Sequence, residues 1–172
     1  MSTYATDDFP YEILITDVDG VLTDGSYQYS KKGKISKTFG PHDADGFKMF
    51  NRVGVQVVAI SADKRGFPIT KKRLTDMGVP LYLVSESERS TWVQEKSQGR
   101  KYGFIGDGYY DIQTLINADI GYAPSNAPEL VKANANMIIP VFGGNGVILH
   151  VFDHFLSIVN EDSHRMFRMG KF

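Results

Sequence analysis

Asp17 and Asp19 stand two residues apart at the end of the apolar run Ile13-Leu14-Ile15-Thr16, and Gly20 follows at once. Such a run reads as a short buried strand, and in a strand side chains i and i+2 share a face. Two carboxylates held together do not both ionise easily without a cation, so the pair asks for a metal. A polar strand end running into an Asp-Gly turn is the commoner account of a lone motif of this kind. An EF-hand loop does not fit, because counting from Asp17 the glycine position holds Leu22 and the closing glutamate position holds Gln28. The pattern recurs, however. Val55–Ile60 is apolar and ends at Ser61, while Tyr102–Ile105 ends in Gly106-Asp107-Gly108-Tyr109-Tyr110-Asp111, with acids four apart. Acids on a first strand, a hydroxyl on the next core strand and acids on a later one make a joint magnesium and phosphate site.

The intervening chain alternates apolar runs with helix-length amphipathic segments. Ser26–Ser30 and Ile35–Phe39 flank Lys31-Lys32-Gly33-Lys34, which is hairpin chemistry. Asp43–Val53 predicts a helix stopped by Gly54, and Thr70–Met77 another stopped by Gly78. Leu81–Val84 and Ile120–Tyr122 predict strands. Helices are expected over Glu88–Ser97, from about Tyr110 to Asn117, from the start signal Ser125–Glu129, and over Val147–Val159. The alternation predicts an α/β fold, a Rossmann-like parallel sheet with helices on both faces and a hairpin protruding after the first strand. In such folds ligands sit beyond the carboxyl ends of the strands, where Asp17, Asp19, Ser61 and Asp107 all fall.

The chain has 172 residues, which predicts one domain over 1–172 with a substantial core. A net charge of −1 supplies no field to recruit nucleic acid or an anionic membrane. Cysteine is absent, which excludes disulfides, thiolate metal sites and a cysteine nucleophile. No apolar run reaches membrane-spanning length, and Met1–Pro10 is acidic and polar, unlike a signal peptide. A soluble, cytoplasmic protein is expected, with a charged, loose tail over Glu161–Phe172.

The stretch Asp17-Val18-Asp19-Gly20-Val21-Leu22-Thr23-Asp24-Gly25, with Ser61, Gly106-Asp107 and Asp111, resembles the motifs of the haloacid dehalogenase superfamily of phosphatases. The hairpin and Gly143-Gly144-Asn145-Gly146 are similar to its small cap-less branch, which contains 3-deoxy-manno-octulosonate 8-phosphate and nonulosonate 9-phosphate phosphatases. The same domain is found fused to some acylneuraminate cytidylyltransferases. The resemblance implies that Asp17 is a nucleophile forming an aspartyl-phosphate and that Asp19 is the general acid and base. It implies magnesium held by Asp17, the backbone carbonyl of Asp19 and Asp107, with Asp111 orienting that shell. Ser61 and backbone amides after Asp17, Gly20 among them, would hold the phosphoryl group.

Where the family carries a lysine at a helix start, this chain has Arg89, with Lys96 and Lys101 further on. Gly108 stands in place of an aspartate, Asp43-Ala44-Asp45-Gly46 in place of Asp-Gly-x-Gly, and Asn145 where an arginine is frequent. The segment Ser61-Ala62-Asp63-Lys64 is similar to the family's hydroxyl-Gly-x-Lys, so Asp63 and Lys64 are expected on the substrate side, Asp63 tilting toward nonulosonates. Arg73 falls where the family binds substrate; a solvated helix face beside Lys71 and Lys72 explains it equally well. His150 and His154 lack a third metal ligand nearby and predict helix surface or interface, and Trp92 predicts core. In the resembling branch such hairpins join into a barrel across four subunits, which implies a homotetramer with shared sites. The alternative is a catalytically idle oligomerisation domain. A response-regulator receiver fits poorly, because its acceptor lies on a middle strand.

Overall fold

Strand β1, Ile13–Asp17, is buried along its whole length. It is the centre of the molecule. The computed structural model describes residues 9–159, Glu161 and Arg168, so the tail expected to be loose lies, apart from those two, outside the described residues. β1 pairs in parallel with β4 (Gln56–Ser61) on one side and β6 (Tyr102–Ile105) on the other. β5 (Leu81–Leu83) extends the sheet beyond β4, while β7 (Ile120–Pro124) and β8 (Met137–Ile139) extend it beyond β6. The six-stranded order is β5-β4-β1-β6-β7-β8, and every pairing is parallel.

Alternation along the strands divides the core in two. Leu14, Val57 and Ala59 face a layer with Phe47 and Phe50 of α1 (Asp43–Val53), Leu74 of α2 (Phe67–Met77) and Val151, Phe152 and Phe155 of α6 (Val147–Ile158). Ile13, Ile15, Val58 and Ile60 face the other layer, against Val93 of α3 (Arg89–Ser97), Leu115 of α4 (Ile112–Asn117) and Val131 of α5 (Glu129–Lys132). Phe50 meets Phe152 edge-on at 5.0 Å between centroids, which knits α1 to α6. The chain leaves β1 toward β4 and β5, then crosses back to β6, so the sheet changes direction beside β1. A crevice opens at that switch point, beyond the carboxyl ends of the strands.

The expected hairpin is present and longer than its apolar pattern. β2 (Thr23–Ser30) and β3 (Gly33–Phe39) form a separate antiparallel sheet. α2 starts earlier than expected, at Phe67, because Pro68 needs no donor in a first helical turn. The start signal at Ser125–Glu129 yields only the short α5. β8 was not anticipated from the sequence, since three residues show no usable period. Strand pairing ends at Asp17, so Asp19 lies in the following turn and does not share a strand face with it.

Candidate active site

Asp17 closes β1, and Asp107 follows β6 next to it in the sheet. Asp111 lies in a single helical turn, Tyr109–Asp111, leading into α4. One carboxylate oxygen from each of Asp17, Asp107 and Asp111 comes within 4.8 Å of the others. Arg89, first residue of α3, is buried between two of them: Nη2 is 3.1 Å from Asp17 Oδ1, and Nη1 pairs with Asp111 Oδ1. The other Asp111 oxygen accepts the backbone N–H groups of Asp107, at 3.1 Å, and Gly108, at 2.9 Å. Asp111 is thereby committed to holding Arg89 and the Asp107 loop.

Charge is out of balance here. Burial raises the Asp17 carboxyl well above its ordinary range; Arg89 counters this, while Asp111, Asp107 and Asp19 add to it. Burial, and then the charge of Asp111, push Asp107 up to about 7. Burial works against the charged form of Arg89, but Asp17 and Asp111 outweigh it and hold the guanidinium firmly protonated. Three converging carboxylates with one guanidinium between them leave a net negative centre of hard oxygen donors. A divalent cation suits that donor set and would relieve the repulsion.

The centre opens into a cavity of about 310 Å³, lined also by Asp19, Lys34, Asp63, Glu86 and Tyr110. The Asp19 side chain keeps a third of its surface exposed there. Its Oδ2 accepts from Ser61 Oγ at 3.1 Å, and its Oδ1 lies 2.6 Å from Lys37 Nζ, which comes from β3. Lys37 also pairs with Asp63 at 2.8 Å, as does Lys34 at 2.6 Å. Burial works to raise the Asp63 carboxyl, but hydrogen bonds from Lys34 and Lys37 and the Gly66 N–H hold it well below the usual range. Lys34 and Lys37 escaped the sequence reading, as did Glu86 and Tyr110. The clustering of lysines along one hairpin was the signal available for the first two.

The remaining expected site residues are placed as follows. Ser61 is fully buried behind Asp19, where it also accepts the Asp63 N–H at 3.1 Å. Gly20 adopts φ +90°, and a Cβ there would collide with the Asp107 carboxylate. Its N–H is given to Thr23 Oγ1 at 3.1 Å. Lys64 is exposed and Arg73 turns toward the Gly40 carbonyl, so neither lines the cavity. His154 meets the Tyr122 hydroxyl at 3.2 Å, His150 is exposed, and Trp92 is half-buried against Tyr82. The Gly143–Gly146 loop is stitched to the turn after Asp19, with the Gly144 N–H donating to the Val21 carbonyl at 2.9 Å. Asp43 anchors the helix behind that loop, accepting the Ile148 N–H at 2.9 Å.

No family model matches the chain. Known proteins do. The 3-deoxy-D-manno-octulosonate 8-phosphate phosphatase of Haemophilus influenzae is 30% identical over 157 residues, covering 88% of this chain and 86% of that protein. The cobalt-bound structure of that organism's enzyme superposes with a TM-score of 0.78 at 29% identity, covering 88% and 90% of the two chains. The Moraxella catarrhalis phosphatase of the same name, solved with magnesium, phosphate and 3-deoxy-D-manno-octulosonate, shares the fold, with a TM-score of 0.77 at 22% identity over 90% of this chain and 93% of that one. With its acids, Arg89 and hairpin arranged about the switch point of a parallel sheet, the chain belongs to the 3-deoxy-D-manno-octulosonate 8-phosphate phosphatase branch of the haloacid dehalogenase superfamily, and is a phosphatase.

Proposed function

We propose that the chain is a magnesium-dependent, cytoplasmic phosphatase of a phosphorylated 2-keto-3-deoxy sugar acid, either 3-deoxy-D-manno-octulosonate 8-phosphate or a nonulosonate 9-phosphate. The observation that carries this reading is the meeting of Asp17, Asp107, Asp111 and Arg89 at the floor of an open polar cavity. An Asp17 carboxylate oxygen attacks phosphorus in line, the bond to the sugar oxygen breaks, and an aspartyl-phosphate forms. Asp19 gives its proton to the departing alkoxide, then takes one from the water that splits the aspartyl-phosphate to free Asp17. Arg89 faces the developing negative charge beside the nucleophile, and Asp111 keeps it there. Magnesium, held by Asp17, the Asp19 carbonyl and Asp107, would neutralise phosphoryl charge and draw the ester toward Asp17.

The open cavity and the apolar surface of the hairpin support a homotetramer with shared sites. Tyr27, Tyr29 and Ile35 are more than half exposed on a ribbon that is marginal alone in water. Phosphate release from both sugar acid esters and from simple sugar phosphates, with added magnesium and after EDTA, tests the function. We expect turnover of a sugar acid ester that EDTA abolishes and magnesium restores. A folded protein inactive on every ester would instead favour the idle oligomerisation domain.

A further inference from the structure

Lys37 belongs to the hairpin, outside the six-stranded sheet, yet its side chain is only 1% exposed. Its ammonium lies 2.6 Å from Asp19 Oδ1 and 2.8 Å from Asp63 Oδ2, and donates to Thr70 Oγ1 at 3.0 Å. An ammonium has three N–H donors, and three acceptors surround this one. They come from the turn after β1, the loop after β4 and the first turn of α2, into which that loop leads. Burying a lone ammonium costs far more than burying an apolar side chain, so a hairpin needing only an anchor is served more cheaply by a hydrophobe.

The placement matters for Asp19. That residue lies past the last paired position of β1, so no strand ladder fixes its direction. It shares the cavity with Asp17 and Asp107, and two donors fix it there: Lys37 holds one carboxylate oxygen and Ser61 the other. Ser61 is held in turn by the Asp63 N–H, and the Asp63 carboxylate returns to Lys37. Lys37, Asp19, Ser61 and Asp63 thus form a closed ring, and the hairpin contributes the member that carries positive charge.

We propose that Lys37 is a positioning residue for the phosphatase reaction, holding the Asp19 carboxyl on the cavity wall where it meets the leaving oxygen of the ester. This rests on the phosphatase reading above. The hairpin is then part of the site's geometry in its own subunit, independently of any neighbour it contacts.

The test compares two esters through kcat/KM, which reports steps up to the first irreversible one, here P–O cleavage. The sugar alkoxide of 3-deoxy-D-manno-octulosonate 8-phosphate needs a proton to leave, whereas 4-nitrophenolate leaves 4-nitrophenyl phosphate without one. In Lys37→Met the ratio of the two kcat/KM values should shift against the sugar ester by about 10²-fold, the lower range for a lost general acid. Asp19→Asn should shift it in the same sense, and adding Lys37→Met to Asp19→Asn should shift it no further. If the Met variant does not fold, Lys37→Gln, which keeps a donor for Asp63 and Thr70, replaces it with the same expected shift. A folded Lys37 variant that loses both esters equally, or that shifts the ratio again when Asp19 is already Asn, overturns the positioning role while the phosphatase reading stands. A folded wild-type protein inactive on both esters and on a nonulosonate 9-phosphate, with magnesium present, overturns both.

Discussion

Arg89 Nη2 lies 3.1 Å from Asp17 Oδ1, so the first residue of α3 grips the last residue of the central strand. The same guanidinium pairs with Asp111, which makes it the buried bridge between the first and the later acid motifs. Lys96, the rival from the sequence, stands outside over the Tyr82 ring at 4.4 Å. Arg89→Ala should lower kcat by about 10²–10³-fold, as for loss of one charge-stabilising donor. It should also destabilise the fold by about 3–5 kcal/mol, because it strands buried carboxylates. Arg89→Lys should recover part of both, since an ammonium keeps the charge but not the planar fork. Lys96→Ala should leave turnover and melting unchanged. Steady-state kinetics and urea unfolding on the three variants check this, and a normal Arg89→Ala enzyme would show that the wrong cation is assigned.

Asp17→Asn should abolish turnover without lowering the melting temperature. An amide is no nucleophile, yet it removes a charge that burial and three neighbouring carboxylates already disfavour. Asp19→Asn should keep magnesium affinity, because the expected ligand there is the backbone carbonyl, and lose about 10²–10⁴-fold in rate on the sugar ester. Phosphate release, thermal melting and magnesium titration followed by calorimetry separate these outcomes. Near-normal turnover in Asp17→Asn would sink the covalent route.

Asp43 gives a pH prediction. Burial pushes its carboxyl up to about 6, against the Ile148 and Gly146 N–H groups and the charges of His42 and Arg73, which lower it. The ordinary unfolded value is about 3.9. Below both values each state carries the proton and no penalty arises. As pH rises through about 6 the folded protein must bury a charge, so this group removes roughly 3 kcal/mol of stability. Asp43→Asn keeps an oxygen for the Ile148 N–H and cannot ionise. Its stability relative to wild type should therefore climb between about pH 4 and about pH 7, as read by urea unfolding at each pH. A pH-independent difference would show that Asp43 titrates normally.

For the hairpin, we expect sedimentation velocity to show a tetramer at working concentration and Ile35→Lys to disperse it. Ile35 is 57% exposed on β3. Dispersal should weaken substrate binding more than it unfolds the chain. An active, stable monomer in the wild type would defeat the shared-site assembly.

The local pattern of the chain was enough to order the elements and to name the acids. β1 is a run of apolar residues ending in Asp17, α1 spans Asp43–Val53 up to Gly54, and β6 spans Tyr102–Ile105, each read from period and stop signals alone. Arg89 came from the family resemblance, as the cation standing where the family carries a lysine at a helix start. Beyond that, the tertiary structure decided. Asp19 reaches the cavity from a turn rather than by strand alternation, and Ser61 stands behind it rather than beside the opening. Lys64 and Arg73, placed on the substrate side by resemblance, do not line the cavity: Lys64 is exposed, and Arg73 donates to the Gly40 carbonyl. The clustering of lysines marked the hairpin, but nothing local set Lys37 apart from its neighbours. Its partners lie 18, 26 and 33 residues away in sequence. Periodicity shows which face of an element is apolar, but which charges meet across separate elements depends on how the hairpin docks against α2 and the turns beyond β1 and β4.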